Sequence, residues 1–284
     1  MVDATGEGGS ILRERRKTAF TIGASLFVIA LSVAACIPIL IIVLVSFSRG
    51  GELYAGTLLP AKFVLDHYRS LFLETDFLIW MKNSLIVSVM TAFLAILFSS
   101  IGAYVLSRYI FTGKKIAIST LMIIQLFPGV MSLVALYKIF QLFHLLNTYF
   151  SLILIYLGGA IPFTTSMLIG FYNTVPRSME DAARLDGANM IEVYTRIIVP
   201  MSLPILLVCF AFNFIAAYSD FLLAAVIITD AHRYTLALGL RSFLEGDFST
   251  NWPIFSAAAL IGAIPIIGMF LIFFRTGMKT TPSP

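Results

Sequence analysis

Charge is what this sequence lacks. Asp, Glu, Lys and Arg make up 12% of its 284 residues, about half the roughly 25% of a typical soluble domain. So little polar surface cannot coat a water-soluble globule, and a soluble enzyme or binding module is excluded. Chemistry-bearing residues are also sparse. No H-E-x-x-H or G-x-S-x-G occurs, and the three histidines, His67, His144 and His232, fall in expected loops. No catalytic or metal-binding constellation can therefore be assembled from them. Cys36 and Cys209 lie inside apolar runs, where a thiol behaves as a small hydrophobe. There is no G-x-x-x-x-G-K-[ST] phosphate loop, since Gly113-Lys114 lacks both the upstream glycine and the following hydroxyl residue. The chain is therefore not expected to hydrolyse ATP or to carry a cofactor of its own.

What is present is apolar. Hydrophobic residues reach 59% and the mean hydropathy is +0.95. A membrane helix needs about 20 such residues in succession. Long runs cover 18–48, 83–107, 116–137, 145–176 and 248–274, and a sixth covers 197–229, interrupted by Asp220. Run 145–176 is too long for one span, so its helix is placed at about 150–171. The expectation is an all-α polytopic membrane protein with about six spans, in which 1–17 is a short tail and 18–284 one transmembrane domain.

A net charge of +4 in such a chain reports orientation rather than nucleic acid. With the N-terminus placed in the cytoplasm, 12 of the 19 Lys and Arg residues fall on the inner side. Both termini are therefore expected to be cytoplasmic, in a membrane whose lipid is the chain's first partner. Val33-Ala34-Ala35-Cys36 resembles a lipoprotein cleavage box, but the apolar run continues through Ile42 and argues against cleavage.

One inner segment, 175–200, is punctuated as two short helices. Ser178 reads as an N-cap with Glu180 and Asp181 in the first turn, and Gly187 as the left-handed terminator. Asn189 then reads as a second cap with Glu192 three residues later, and Pro200 as the stop. Helices this short are marginal alone. Either Met179, Leu185, Ile191 and Tyr194 pack on the protein's own helix ends, or the pair docks into another protein.

Within the spans, Asp220 is the acidic residue of an apolar run, a costly placement that marks a functional candidate. Asn213, Tyr218 and Ser219 are nearby candidates for a polar path, with Asn213 and Asp220 seven residues apart on one helix side. On the outer side, 230–252 reads as a polar loop containing Arg241, Glu245, Gly246 and Asp247. An ion-coupled secondary transporter should show an internal repeat and paired intramembrane charges, and neither is evident.

Asp181-Ala182-Ala183, three residues, Gly187, nine residues, then Ile197-Ile198-Val199-Pro200 resembles the EAA loop of ATP-binding-cassette importer permeases. Asp181 stands for the motif's Glu and Val199 for its Leu. Gln125-x-Phe127-Pro128, Leu146-Asn147-Thr148, Tyr156-Leu157-Gly158-Gly159 and 234–240 are similar to carbohydrate-importer permeases, above all the second permease subunit of maltose/maltodextrin importers. The resemblance implies a type I importer permease in a prokaryotic inner membrane. Its partners would be a second homologous permease, two ATPase subunits holding ATP and Mg, and an external sugar-binding protein. It implies ATPase coupling through Glu180, Asp181, Ala182, Ala183, Asp186, Gly187, Ile197 and Pro200, and contact between the outer loop and the binding protein. The cargo would be maltose or a maltodextrin, with trehalose or another oligosaccharide as the alternative.

Overall fold

The architecture hangs on one long helix, α3, spanning Phe77–Arg108. Its sequence repeats a small residue every three or four positions: Ser84, Ser88, Ala92, Ala95, Ser99, Ala103 and Ser107 are all buried. That spacing places them on one face, and small side chains there let neighbouring backbones approach closely. The neighbours are α6, Tyr149–Thr174, and α10, Leu203–Ser219. Hydroxyls on this face bond along and across helices. Ser88 Oγ donates to the Ser84 carbonyl at 2.6 Å, and Ser99 Oγ donates to the Ile161 carbonyl at 3.1 Å.

The structure is a computed structural model and describes residues 6–48, 63–126, 129–244 and 251–280. Around the α3–α6–α10 core run α1 (Gly6–Ser46), α2 (Asp66–Leu73), α4 (Lys114–Leu126), α5 (Leu133–Leu142) and α13 (Trp252–Thr280). Shorter elements are α7 (Arg177–Leu185), α8 (Met190–Val193), α9 (Val199–Met201), α11 (Leu222–Ile227) and α12 (Leu236–Arg241). There is no strand among the described residues. Three apolar clusters lie along α3: one around Trp80 and Phe214, one around Val87 and Tyr156, and one around Tyr104 and Tyr172. In a bilayer such clusters hold by close packing rather than by escape from water.

Among the described residues four helices are long and apolar enough to cross a membrane: Phe20–Ser46, Phe77–Arg108, Tyr149–Thr174 and Trp252–Phe273. Two of the six expected spans are broken. The run at 116–137 is divided between α4 and α5, with a 3-10 turn Gly129–Ser132 leading into α5. The run at 197–229 bends by 74° between Met190–Met201 and Leu203–Ser219, and Asp220 then leaves the helix with an extended backbone. Counted as one span, the bent pair is the fifth.

The described part of the expected polar loop, 230–244, forms short helical elements. Asp230 caps a 3-10 turn, Ala231–Arg233, and α12 then folds back so that Thr235, Leu236, Leu238 and Gly239 are buried. Helix α3 holds it there. Trp80 Nε1 donates to the Ala231 carbonyl at 2.9 Å, and Asn83 Nδ2 donates to the His232 and Tyr234 carbonyls at 3.0 and 2.9 Å. Ser84 Oγ accepts the Leu236 amide at 2.6 Å. From the α5–α6 connection, Asn147 is held at positive φ and its Oδ1 accepts the amides of Thr229 and Asp230.

Candidate functional site

Two features stand out: a helical hairpin at the Arg108 end of α3, and a cavity between the helices.

The hairpin is built much as its punctuation suggests. Gly187 adopts φ +92° and closes α7 with both bonds of a Schellman motif, Ala188 N to Ala183 O at 2.9 Å and Gly187 N to Arg184 O at 3.0 Å. Asn189 and Glu192 form a reciprocal capping box that starts α8. Two local readings need correction. Helix α7 begins at Arg177 with Pro176 at the cap position, so Ser178 lies inside the first turn and caps nothing. Pro200 does not stop the second helix either. The chain passes through a π-helical stretch, Tyr194–Ile198, and through α9, and the bend comes at Ser202. Pro200 has no N–H to give the helical ladder, and the Ser202 hydroxyl and amide both turn back to the Ile198 carbonyl.

Glu180 lies apart from the other motif residues. It is buried, with Oε1 2.5 Å from Arg108 Nε, and neither atom has another polar partner among the described residues. Oε2 accepts from the Tyr104 hydroxyl at 3.0 Å and lies 3.8 Å from Arg184. Arg108 also donates to the Val175 carbonyl at 3.0 Å, and Ser107 donates to Asn173 at 2.7 Å. Glu180 therefore ties α7 to the end of α3 and does not lie on the hairpin's exposed face.

The outward surface belongs to the remaining residues. Asp181, Ala182, Asp186 and Gly187 are exposed, Ala183 and Ile197 half-buried, and Pro200 exposed. Beside them Leu185 is 89% and Ile191 72% exposed, with Met179 and Met190 also open. Of the four residues offered for self-packing, Tyr194 alone turns inward, its ring against Tyr104. These exposed apolar side chains form a patch ringed by Asp181, Asp186, Glu192 and Arg196. The charges around them argue against lipid as the cover.

The cavity, about 700 Å³, lies where α3, α4, α5, α6 and α10 converge. Asn213 and Asp220 both line it; Tyr218 and Ser219 do not. The Tyr218 hydroxyl instead donates to the Gly262 carbonyl at 2.9 Å in the core, and Ser219 ends α10 on the surface. Asp220 is structural as well as polar. Its Oδ1 accepts the Leu223 and Ala224 amides at 3.0 and 3.2 Å, opening α11, and the Tyr156 hydroxyl at 2.9 Å. Asn213 donates to Thr164 Oγ1 at 2.8 Å. Thr91, Ser132 and Tyr156 complete the polar lining, and none of them stands out by local pattern alone. On the other side, Arg241 ends α12 with its guanidinium 5.3 Å from the Phe221 ring centre. Glu245, Gly246 and Asp247 lie outside the described residues.

Helix α3 joins the two features. Thr91 in the cavity wall and Tyr104 on the hairpin anchor lie 13 residues apart on it, about 20 Å at 1.5 Å per residue.

The family described as binding-protein-dependent transport system inner membrane component matches residues 84–278. The chain is similar to the maltodextrin transport system permease protein MdxG of Bacillus subtilis (strain 168), with 33% identity over 86% of this chain and 88% of that protein. It is also similar to the maltose/maltodextrin transport system permease protein MalG of Vibrio vulnificus (strain YJ016), with 35% identity over 84% and 86%. In fold it is similar to a bacterial ABC transporter involved in the import of the acidic polysaccharide alginate. The TM-score is 0.78 at 19% identity, covering 92% of this chain and 97% of that one.

Proposed function

The chain belongs to the binding-protein-dependent transport system inner membrane component family, and from that premise we propose that it is one permease half of an ATP-driven oligosaccharide importer. It is a multi-pass subunit of the cytoplasmic membrane. A second, homologous permease completes the pathway, two ATPase subunits holding ATP and Mg dock from the cytoplasm, and an external sugar-binding protein delivers cargo. A maltodextrin is the cargo that the named relatives support best; trehalose or another oligosaccharide is the alternative.

The observation that carries this reading is the hairpin: apolar outside, at Leu185 and Ile191, and clamped inside by buried Glu180 to the helix that lines the cavity. Closure of the ATPase pair would press on α7, and the Glu180–Arg108–Tyr104 cluster would pass that displacement to α3 as to a rigid rod. Coupling of this kind requires two arrangements that both sites bias. The bend at Ser202 and the breaks flanking Asp220 are where the path could change shape. At the opposite end, α12 and the 3-10 turn before it offer the surface for the binding protein.

The test is to purify the tagged chain in mild detergent and identify what accompanies it. An ATPase, a second permease and, in liposomes, ATP-dependent maltodextrin uptake are expected. A chain that purifies alone and moves its cargo on an ion gradient overturns the reading.

A further inference from the structure

We propose that the π-helical turn Tyr194–Ile198 is a latch between the hairpin and the bent span, with the Tyr194 hydroxyl as its bolt. The latch is closed in this arrangement and opens when the path changes shape. The proposal rests on the importer reading above and adds to it the contact that has to break.

The first ground is the register of the turn. The Val199 amide donates to the Tyr194 carbonyl, five residues back, in place of the four of an α-helix. Such turns are rare and concentrate at functional sites. Here packing imposes it. Val193 and Ile198 are both fully buried, and an α-helical ladder would set them about 140° apart around the axis. The π turn brings them to one side, where Ile198 joins Tyr104 of α3 and Leu168 and Tyr172 of α6 in one apolar cluster. Lifted from that pocket, the turn is free to relax toward the α-helical ladder.

The second ground is how the hydroxyls are shared. Tyr194 lays its ring on Tyr104, centroids 5.2 Å apart, and its hydroxyl meets Ser100 Oγ. Ser100 Oγ also lies 3.2 Å from the Tyr172 hydroxyl. Ser100 and Tyr172 are buried, and Tyr194 is half-buried. When Tyr194 withdraws, Ser100 and Tyr172 still answer each other, and the departing hydroxyl moves toward the side where Thr195 and Arg196 are exposed. Neither buried hydroxyl is orphaned, so opening avoids the penalty that makes most buried polar contacts permanent. Glu180 differs, since its departure would leave Arg108 an uncompensated buried charge. One tie of the hairpin is built to hold and the other to exchange. The exchangeable one lies between the hairpin and the 74° bend. Its release frees the bent span from α3 and α6 while Glu180 keeps α7 on α3, which supplies the two discrete arrangements that coupling needs.

The test is amide hydrogen exchange across 194–201 in the complete complex, without nucleotide and with ATP plus vanadate to trap the ATPases. Exchange in the wild type should rise at least fivefold on trapping. Tyr194→Phe keeps the ring on Tyr104 and removes the bolt. Losing one hydrogen bond shifts a two-state equilibrium about two- to tenfold, so exchange without nucleotide should rise by that factor. Thr195→Ala removes an exposed hydroxyl bonded to the Ile191 carbonyl and should change exchange by less than twofold. A merely structural tyrosine would raise exchange in the variant but leave the wild type short of its rise on trapping, and that outcome overturns the latch. A change below twofold in Tyr194→Phe overturns it as well, as does an equal rise in Thr195→Ala. If no ATPase accompanies the chain, or uptake does not follow ATP, the importer reading falls instead.

Discussion

Replacing Glu180 with Gln should release the hairpin without unfolding the bundle. Arg108 keeps its buried position, 5% exposed at the side chain, but loses the carboxylate 2.5 Å away. Removing one partner of a buried pair costs about 3–5 kcal/mol, chiefly because the other charge is left uncompensated. Helix α7 has nine residues and too few internal hydrogen bonds to stand alone. The loss should therefore appear as local opening. At about 1.4 kcal/mol per factor of ten, the opened population rises by roughly two to three and a half orders of magnitude. Amide hydrogen exchange across 182–193, in the detergent-purified chain, reads this directly. Strong acceleration is expected there and little change in α3. Replacing both partners, Arg108→Met with Glu180→Leu, removes the charge imbalance and should recover most of the protection. Exchange within threefold of wild type in Glu180→Gln would refute the anchor, and a double variant as open as the single one would refute the electrostatic argument behind it.

Two further outcomes follow from backbone geometry. Gly239→Ala would set a Cβ 2.2 Å from the Trp80 ring. The overpacking should cost about 1–3 kcal/mol and appear as a lower melting temperature of the purified chain, partly restored by Trp80→Leu. Gly187→Val forces a β-branched residue to φ +92°, so the Schellman turn should shift and retention of the ATPase on purification should drop. Gly113→Val, also at positive φ but in the α3–α4 connection, should leave that retention unchanged.

Much of the fold was legible because long apolar runs have few solutions. The helices at 20–46, 77–108, 149–174 and 252–273 answer to uncharged stretches that a bilayer accepts only as helix. The broken spans were harder, since apolar content does not report where a proline or a side-chain cap interrupts a run. Asp220 is the example. Its carboxylate reads as an intrusion in an apolar helix, while in space it ends α10 and opens α11. The hairpin's turn and second cap were visible because Gly187, Asn189 and Glu192 act within five residues of one another. The role of Glu180 was not, because Arg108 lies 72 residues away and nothing local distinguishes a buried glutamate from an exposed one. Helix α12 escaped for a related reason. Leu236–Arg241 is too short to signal a span, and it is held through Trp80, Asn83 and Ser84, about 150 residues earlier.

The central claim is that the outer face of the hairpin is a docking surface, and Leu185→Glu tests it most directly. Leu185 is 89% exposed, so a charge there should change the stability of the isolated chain by less than about 0.5 kcal/mol. Buried in a partner's groove, the same charge is expensive. Purified side by side with the wild type, the variant should keep its melting temperature and its second permease but lose its ATPase. An ATPase that stays bound to Leu185→Glu, with uptake intact, would contradict the account.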